Sequence, residues 1–68
     1  MQKIDGKRVI AWAVVYQAGY IGQRIEDEFA SFTGACDFRA VRYDADEIAD
    51  CHIEIAARLS DGTLSYDY

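Results

Sequence analysis

The chain has 68 residues, a net charge of −5, 51% hydrophobic residues, five glycines and no proline. That composition excludes disorder and leaves room for one domain over 1–68, which at this size buries only about 60% of its unfolded surface. No apolar run reaches the ~20 residues that span a bilayer, so a soluble, cytoplasmic protein is expected.

The charge is unevenly placed. Residues 1–25 hold Lys3, Lys7, Arg8 and Arg24 against Asp5 alone, whereas residues 26–68 hold eleven acids against Arg39, Arg42 and Arg58. An acidic two-thirds disfavours direct contact with nucleic acid or with an anionic membrane, since both need Lys and Arg. It suits a basic surface on another protein, and its field speeds the encounter. Lys3, Lys7 and Arg8 ahead of an apolar run resemble the start of a secretory signal, but no small-x-small cleavage site follows.

In chain order, Lys3-Ile4-Asp5-Gly6-Lys7 carries an Asp-Gly turn, which predicts a short arm at Gln2–Ile4 folded on the next segment. Val9–Tyr16 is eight apolar residues rich in β-branched and aromatic types, hence a buried strand. Alternation puts Ile10, Trp12, Val14 and Tyr16 on one face and Val9, Ala11, Ala13 and Val15 on the other. With both faces apolar, the strand should be central and covered on both sides.

After Ala18-Gly19, Ile21, Ile25, Phe29 and Phe32 recur at helical spacing, which predicts a helix over 20–33 stopped by Gly34. Ala35–Tyr43 alternates as a second strand. Asp44-Ala-Asp-Glu-Ile-Ala-Asp50 is the most acidic stretch, with a helical turn expected at 46–50. Residues 51–59 fit a strand or the end of a helix capped by the Asp44/Glu47 pair. Asp61-Gly62 between alternating runs favours a hairpin of strands at 52–59 and 63–68. The expected fold is a small two-layer α+β protein, a β-α-β-β-β sheet with one helix on one face. The alternative is β-α-β-α-β with a helix at 45–60. A β-α-β unit with parallel strands would cross over right-handed. One helix leaves the other sheet face open, which points to a homodimer or a target protein there.

Candidate chemistry is thin. Cys36, Cys51 and His52 are the only soft metal ligands, one short of a closed zinc site, and adjacent Cys51 and His52 point to opposite faces of a strand. The same geometry separates them as nucleophile and base. In the expected hairpin Cys36 and Cys51 lie far apart, so two free thiols are expected. Asp44-x-Asp46 begins like a calcium loop, but Ile48 and Ala49 occupy positions that need a ligand and a glycine. Short β-α-β chains include the small tautomerases, whose base is an N-terminal proline; a chain without proline lacks that base. No catalytic residue, cofactor or metal is therefore assigned, and a non-enzymatic protein is expected.

What remains is tyrosine beside carboxylate, a pairing that gives large contact area at low entropic cost. The expected partner-binding residues are Tyr43, Asp44, Asp46, Glu47, Asp50, Tyr66, Asp67 and Tyr68. Tiny acidic domains of this kind include phage-encoded inhibitors of host nucleases, anti-CRISPR proteins among them, some of which fill nucleic-acid grooves as charge mimics. That comparison rests on size and charge. A small homo-oligomeric structural or regulatory subunit, dimerised through the open sheet face, is the other reading.

Overall fold

A computed structural model describes residues 3–68, so Gln2 of the expected arm lies outside the described residues. The elements are β1 (Lys3–Ile4), β2 (Lys7–Tyr16), β3 (Arg24–Phe29), α1 (Phe32–Arg42), α2 (Ala45–Asp50), β4 (Glu54–Leu59) and β5 (Leu64–Ser65). Every strand pairing is antiparallel. β2 is central, with β3 on one flank and β4 on the other, β5 outside β4, and β1 paired to the first residues of β2.

The class is α+β as expected, but the order of elements in the middle of the chain is not. Residues 24–29 are a strand where a helix was expected over 20–33, and 32–42 are a helix where a strand was expected over 35–43. Among the described residues there is no parallel β-α-β unit, because β2 turns directly into its antiparallel neighbour β3. The reason lies in the spacing. Ile21, Ile25 and Phe29 are four apart, which fits a period of 3.6 and a period of two equally well. Ile21 is fully exposed and Ile25 half exposed, so no helical stripe is buried there.

The helix starts at Phe32, twelve residues later than expected, at a cap. Ser31 takes extended backbone angles and its Oγ accepts the Gly34 N–H at 3.0 Å, so Gly34 opens the helix it was expected to stop. Arg39 and Arg42 sit in the last turn, favourable for the dipole. Ala35 is fully buried and lets α1 approach the sheet closely, and Arg39 donates to the Ile53 carbonyl at 3.1 Å. α2 carries the capping box read from Asp44 and Glu47 but ends at Asp50, so the helix over 45–60 does not form. His52 stops it in a left-handed conformation, φ 51°, and β4 follows. The last strand shrinks from the expected 63–68 to Leu64–Ser65, and the chain beyond it leaves the ladder.

One core lies between the helices and the sheet: Trp12, Val14, Ile53, Ile55, Ala57 and Leu59, closed by Ala35 and Tyr43. Two bulges shape it. At Val9/Ala11 the ladder skips Ile10, so Val9 joins the Trp12 face and Ile10 turns outward, reversing the expected alternation for both. At Val14/Val15 the extra residue is Glu26 of β3.

The opposite face was expected to stay open, yet Ala13, Val15 and Ala56 are 0% exposed, with Ala18 and Leu64 packed against them. The side chains here are small, and an ion pair bridges the strands over them. Arg58 of β4 reaches Glu28 of β3 across β2, with Nε–Oε1 3.2 Å and Nη2–Oε2 2.8 Å, while its Nη1 donates to the Gly62 carbonyl at 2.7 Å. The Arg58 hydrogen bonds hold the Glu28 carboxyl below its usual range. A lowered folded-state pKa stabilises above the unfolded pKa, and that stabilisation is lost as pH falls through the folded value. Glu28→Gln is therefore expected to flatten the fall in stability below about pH 4.3, the ordinary glutamate value. Urea midpoints measured from pH 6 downward check this; an acid limb identical to wild type removes the bridge from the account.

Candidate functional site

The loop joining β2 to β3, residues 17–23, makes one end of the molecule, and backbone hydrogen bonds fix it. Gln17 and Ala18 donate to the carbonyls of Cys51 and His52, each at 3.0 Å. Within the loop Tyr20 donates to the Gln17 carbonyl and Gln23 to that of Tyr20, both at 3.0 Å, and the Gly19 N–H reaches Gln23 Oε1 at 2.8 Å. Gly22 lies so close to the Gln17 side chain that a Cβ there would meet Oε1 at 2.0 Å. Gln17 and His52, on the two facing segments, both hold positive φ, 55° and 51°. Such backbone persists in non-glycine residues only where the surroundings over-determine it.

The loop presents apolar surface to solvent. Tyr20 stacks on the His52 ring with centroids 4.5 Å apart, and Ile21 beside it makes no burying contact. On the other side of the loop, Ala18, Gly19, Glu54 and Tyr66 line a shallow cavity of about 410 Å³.

α2 runs into this end, with Asp50 two residues before His52. Asp44 Oδ1 accepts the Glu47 N–H at 2.8 Å and Glu47 Oε1 accepts the Asp44 N–H at 3.4 Å, so two of the four acids hold the helix start. Asp46 is in the first turn, where a carboxylate suits the dipole. Asp50 is in the last turn, where it opposes the dipole and no basic residue compensates. The ion pairs among the described residues are Lys7–Asp61, Arg24–Glu26 and Arg58–Glu28; none involves α2. Local energetics therefore explain Asp44, Asp46 and Glu47 in part, and Asp50 not at all.

The other expected partner residues divide. Tyr43 is 6% exposed, its ring 6.2 Å from that of Tyr16 and its hydroxyl without a hydrogen-bond partner. Burial, with the Glu26 carboxylate nearby, pushes its phenol up. Tyr43 is thus core, withdrawn from the surface. Tyr68 stands edge-on to Trp12 at 5.1 Å and to Phe32 at 5.5 Å, and its hydroxyl donates to the Ile55 carbonyl, so its ring serves the fold. Asp67 is exposed, its N–H on Ser65 Oγ at 3.2 Å. Tyr66 alone of the three aromatic residues sits at the loop end.

The sequence did not mark Tyr20, Ile21, His52 or Glu54 as partner-binding residues: Ile21 was placed on a helical stripe and His52 weighed only as a metal ligand or base. The signal for the loop is Gly19-Tyr20-Ile21-Gly22, two glycines bracketing two large residues, which suits a turn better than a first helical turn. Cys51 takes a hydrogen bond from the Tyr16 hydroxyl at 3.5 Å while His52 stacks on Tyr20, so the two side chains point to different neighbours. Among the described residues no three His, Cys, Asp or Glu side chains converge, both cysteines are free thiols, and no helix is long and apolar enough to cross a membrane. No protein-family model, curated protein or solved structure matches the chain.

Proposed function

We propose that the chain is a non-enzymatic, cytoplasmic protein-binding module whose loop end docks on a basic surface of another protein. One observation carries this: a hydrogen-bonded loop holds Ile21 and the Tyr20–His52 stack in solvent beside an acidic helix that none of the ion pairs among the described residues neutralises. Interfaces concentrate their energy in a few rigid apolar anchors, with charge around them setting encounter rate and selectivity. Ile21 and Tyr20 are the anchors; Asp46, Glu47, Asp50 and Glu54 are the charged rim, and Tyr66 extends the apolar part. A surface that answers this description is a nucleic-acid-binding site, basic by necessity, which a phage-type inhibitor of the anti-CRISPR or anti-restriction kind would occupy. Association of two copies through the second sheet face is less supported, because Ala13, Val15 and Ala56 are already buried within one chain.

The test compares wild type with Ile21→Ala and with the combined Asp44→Asn, Asp46→Asn, Glu47→Gln and Asp50→Asn variant, as baits for affinity capture and then in titrations of the captured protein. Asn still caps a helix and Gln still closes the box, so the combined variant should melt at or above the wild-type temperature. Its binding should weaken tenfold or more, about 1.4 kcal/mol, and lose most of its dependence on salt. Ile21→Ala should weaken binding and leave that salt dependence intact. Unchanged affinity in both variants across a salt series refutes the reading.

A further inference from the structure

A second surface, on a different side of the fold, is built like a slot for an extended chain. Among the described residues β3 pairs with β2 alone, which leaves its other edge open. α1 packs against the end of β3, and a groove of about 580 Å³ there is lined by Phe29 of β3 and by Gly34, Asp37, Phe38, Val41 and Arg42 of α1. Gly34 contributes no side chain where the groove passes Phe29, and Val41 is 89% exposed on the helix wall. An open edge strand beside an apolar groove under a helix is the geometry by which folded domains add a peptide as an extra strand.

The charges select the occupant. Glu26 and Glu28 are neutralised by Arg24 and Arg58, each at 2.8 Å, while none of the ion pairs among the described residues involves Asp27 or Asp37, and Arg42 lies over the Tyr43 ring at 5.0 Å. A second copy is a poor fit. Two β3 strands paired antiparallel about their centre set Glu26 opposite Asp27, and like charges directly opposite destabilise a sheet; the shift that sets Arg24 opposite Asp27 and Ile25 opposite Glu26 leaves Glu28 and Phe29 unpaired and draws Arg24 from Glu26. An extended segment alternating lysine or arginine with β-branched residues meets both features. Asp27 Oδ1 now accepts the N–H of Glu28 at 2.8 Å, occupying an edge donor. An incoming carbonyl takes that donor and frees the Asp27 carboxylate for a basic side chain.

We infer that the β3 edge and the α1 groove form a binding site for an extended basic peptide segment of a partner protein, joined to the sheet by strand addition. The site is separate from the loop end and does not depend on it.

The experiment is an amide-resolved NMR titration of the intact protein with an acetylated, amidated synthetic peptide of alternating lysine and β-branched residues. The expected result is saturable binding, with shifts confined to residues 24–29 and 34–42. Alternate N-methylation of the peptide backbone should abolish it, and a glutamate-for-lysine peptide should not bind. Val41→Lys, at a position too exposed to affect the core, should weaken it by roughly tenfold or more. Four outcomes overturn the inference. One is no saturation at millimolar peptide; another is shifts centred on α2 and the loop end. A third is binding indifferent to N-methylation, which is adhesion by charge alone. The last is β3 shifts that grow with protein concentration in the absence of peptide, which would make a second copy the occupant.

Discussion

Trp12→Ala is expected to unfold the domain at ordinary temperature. Trp12 is 8% exposed at the middle of β2, with Phe32 and Tyr68 edge-on at 5.1 Å each and Ala57 opposite it on β4. Truncating a buried aromatic residue costs about 3–5 kcal/mol, through lost transfer energy and the cavity left behind. A domain of this size has only roughly 3–10 kcal/mol in total, at about 0.05–0.15 kcal/mol per residue. The loss also removes the ring against which Tyr68 packs, so the C-terminal segment should detach first. Thermal unfolding followed by circular dichroism checks this. A variant melting within a few degrees of wild type would mean that Trp12 is not the centre of the core.

Ala13→Leu tests the other face. Ala13 is 0% exposed between Ala56 and Glu28, under the Arg58–Glu28 bridge and with no helix above it. A leucine there must lift the bridge or displace β4, and overpacking of this kind costs about 1–3 kcal/mol. For a domain of this length that lowers the melting temperature by about 4–8 °C per kcal/mol. If the face were open, the added leucine would lie in solvent and leave stability unchanged or promote association. Melting curves and light scattering on the same sample tell the two apart.

The fold was legible in the sequence where a signal had one reading. The length and residue types of the apolar run before Gln17 favoured a buried strand over a helix, and β2 is one. The Asp-Gly turns appear where expected, with Asp5 and Gly6 at φ 53° and 78° and Gly62 at 90°. The Asp44/Glu47 box starts a helix, and the turn at 60–63 closes a hairpin. Residues 20–43 had two readings. Spacings of four satisfy both periods, and Cys36, Phe38 and Ala40 alternate while Ala35, Phe38, Arg39 and Arg42 also recur at helical steps. Ser31 settles the matter as an N-cap, yet a serine in this context is as common in a turn. What the sequence alone lacked was the partner: β2 has two flanks, and β3 fills one of them only because the 17–23 loop is short enough to return the chain directly.

The candidate site follows the same division. The four α2 acids can be read from their order alone, because helix surface charge needs no tertiary information. Ile21 and Tyr20 cannot, since their exposure depends on a loop anchored to residues 51 and 52, remote in sequence. Tyr43 was drawn inward, and Tyr68, still 48% exposed, was turned edge-on to Trp12 and Phe32, by packing that composition does not reveal.

The two flanks of β2 differ in one further respect, the length of chain needed to reach them. β3 returns through residues 17–23, so that hairpin can zip locally. β4 must wait for the whole segment from Gln17 to Ile53 to be gathered in, and the entropic cost of closing a flexible loop grows with its length. α1 and α2 lie wholly inside that segment. Once coiled they shorten the flexible part that has to close, and Arg39 then ties α1 to Ile53 at the threshold of β4. The helices thus act as spacers that deliver the last major strand to its slot, and with no proline in the chain no slow isomerisation stands in the way.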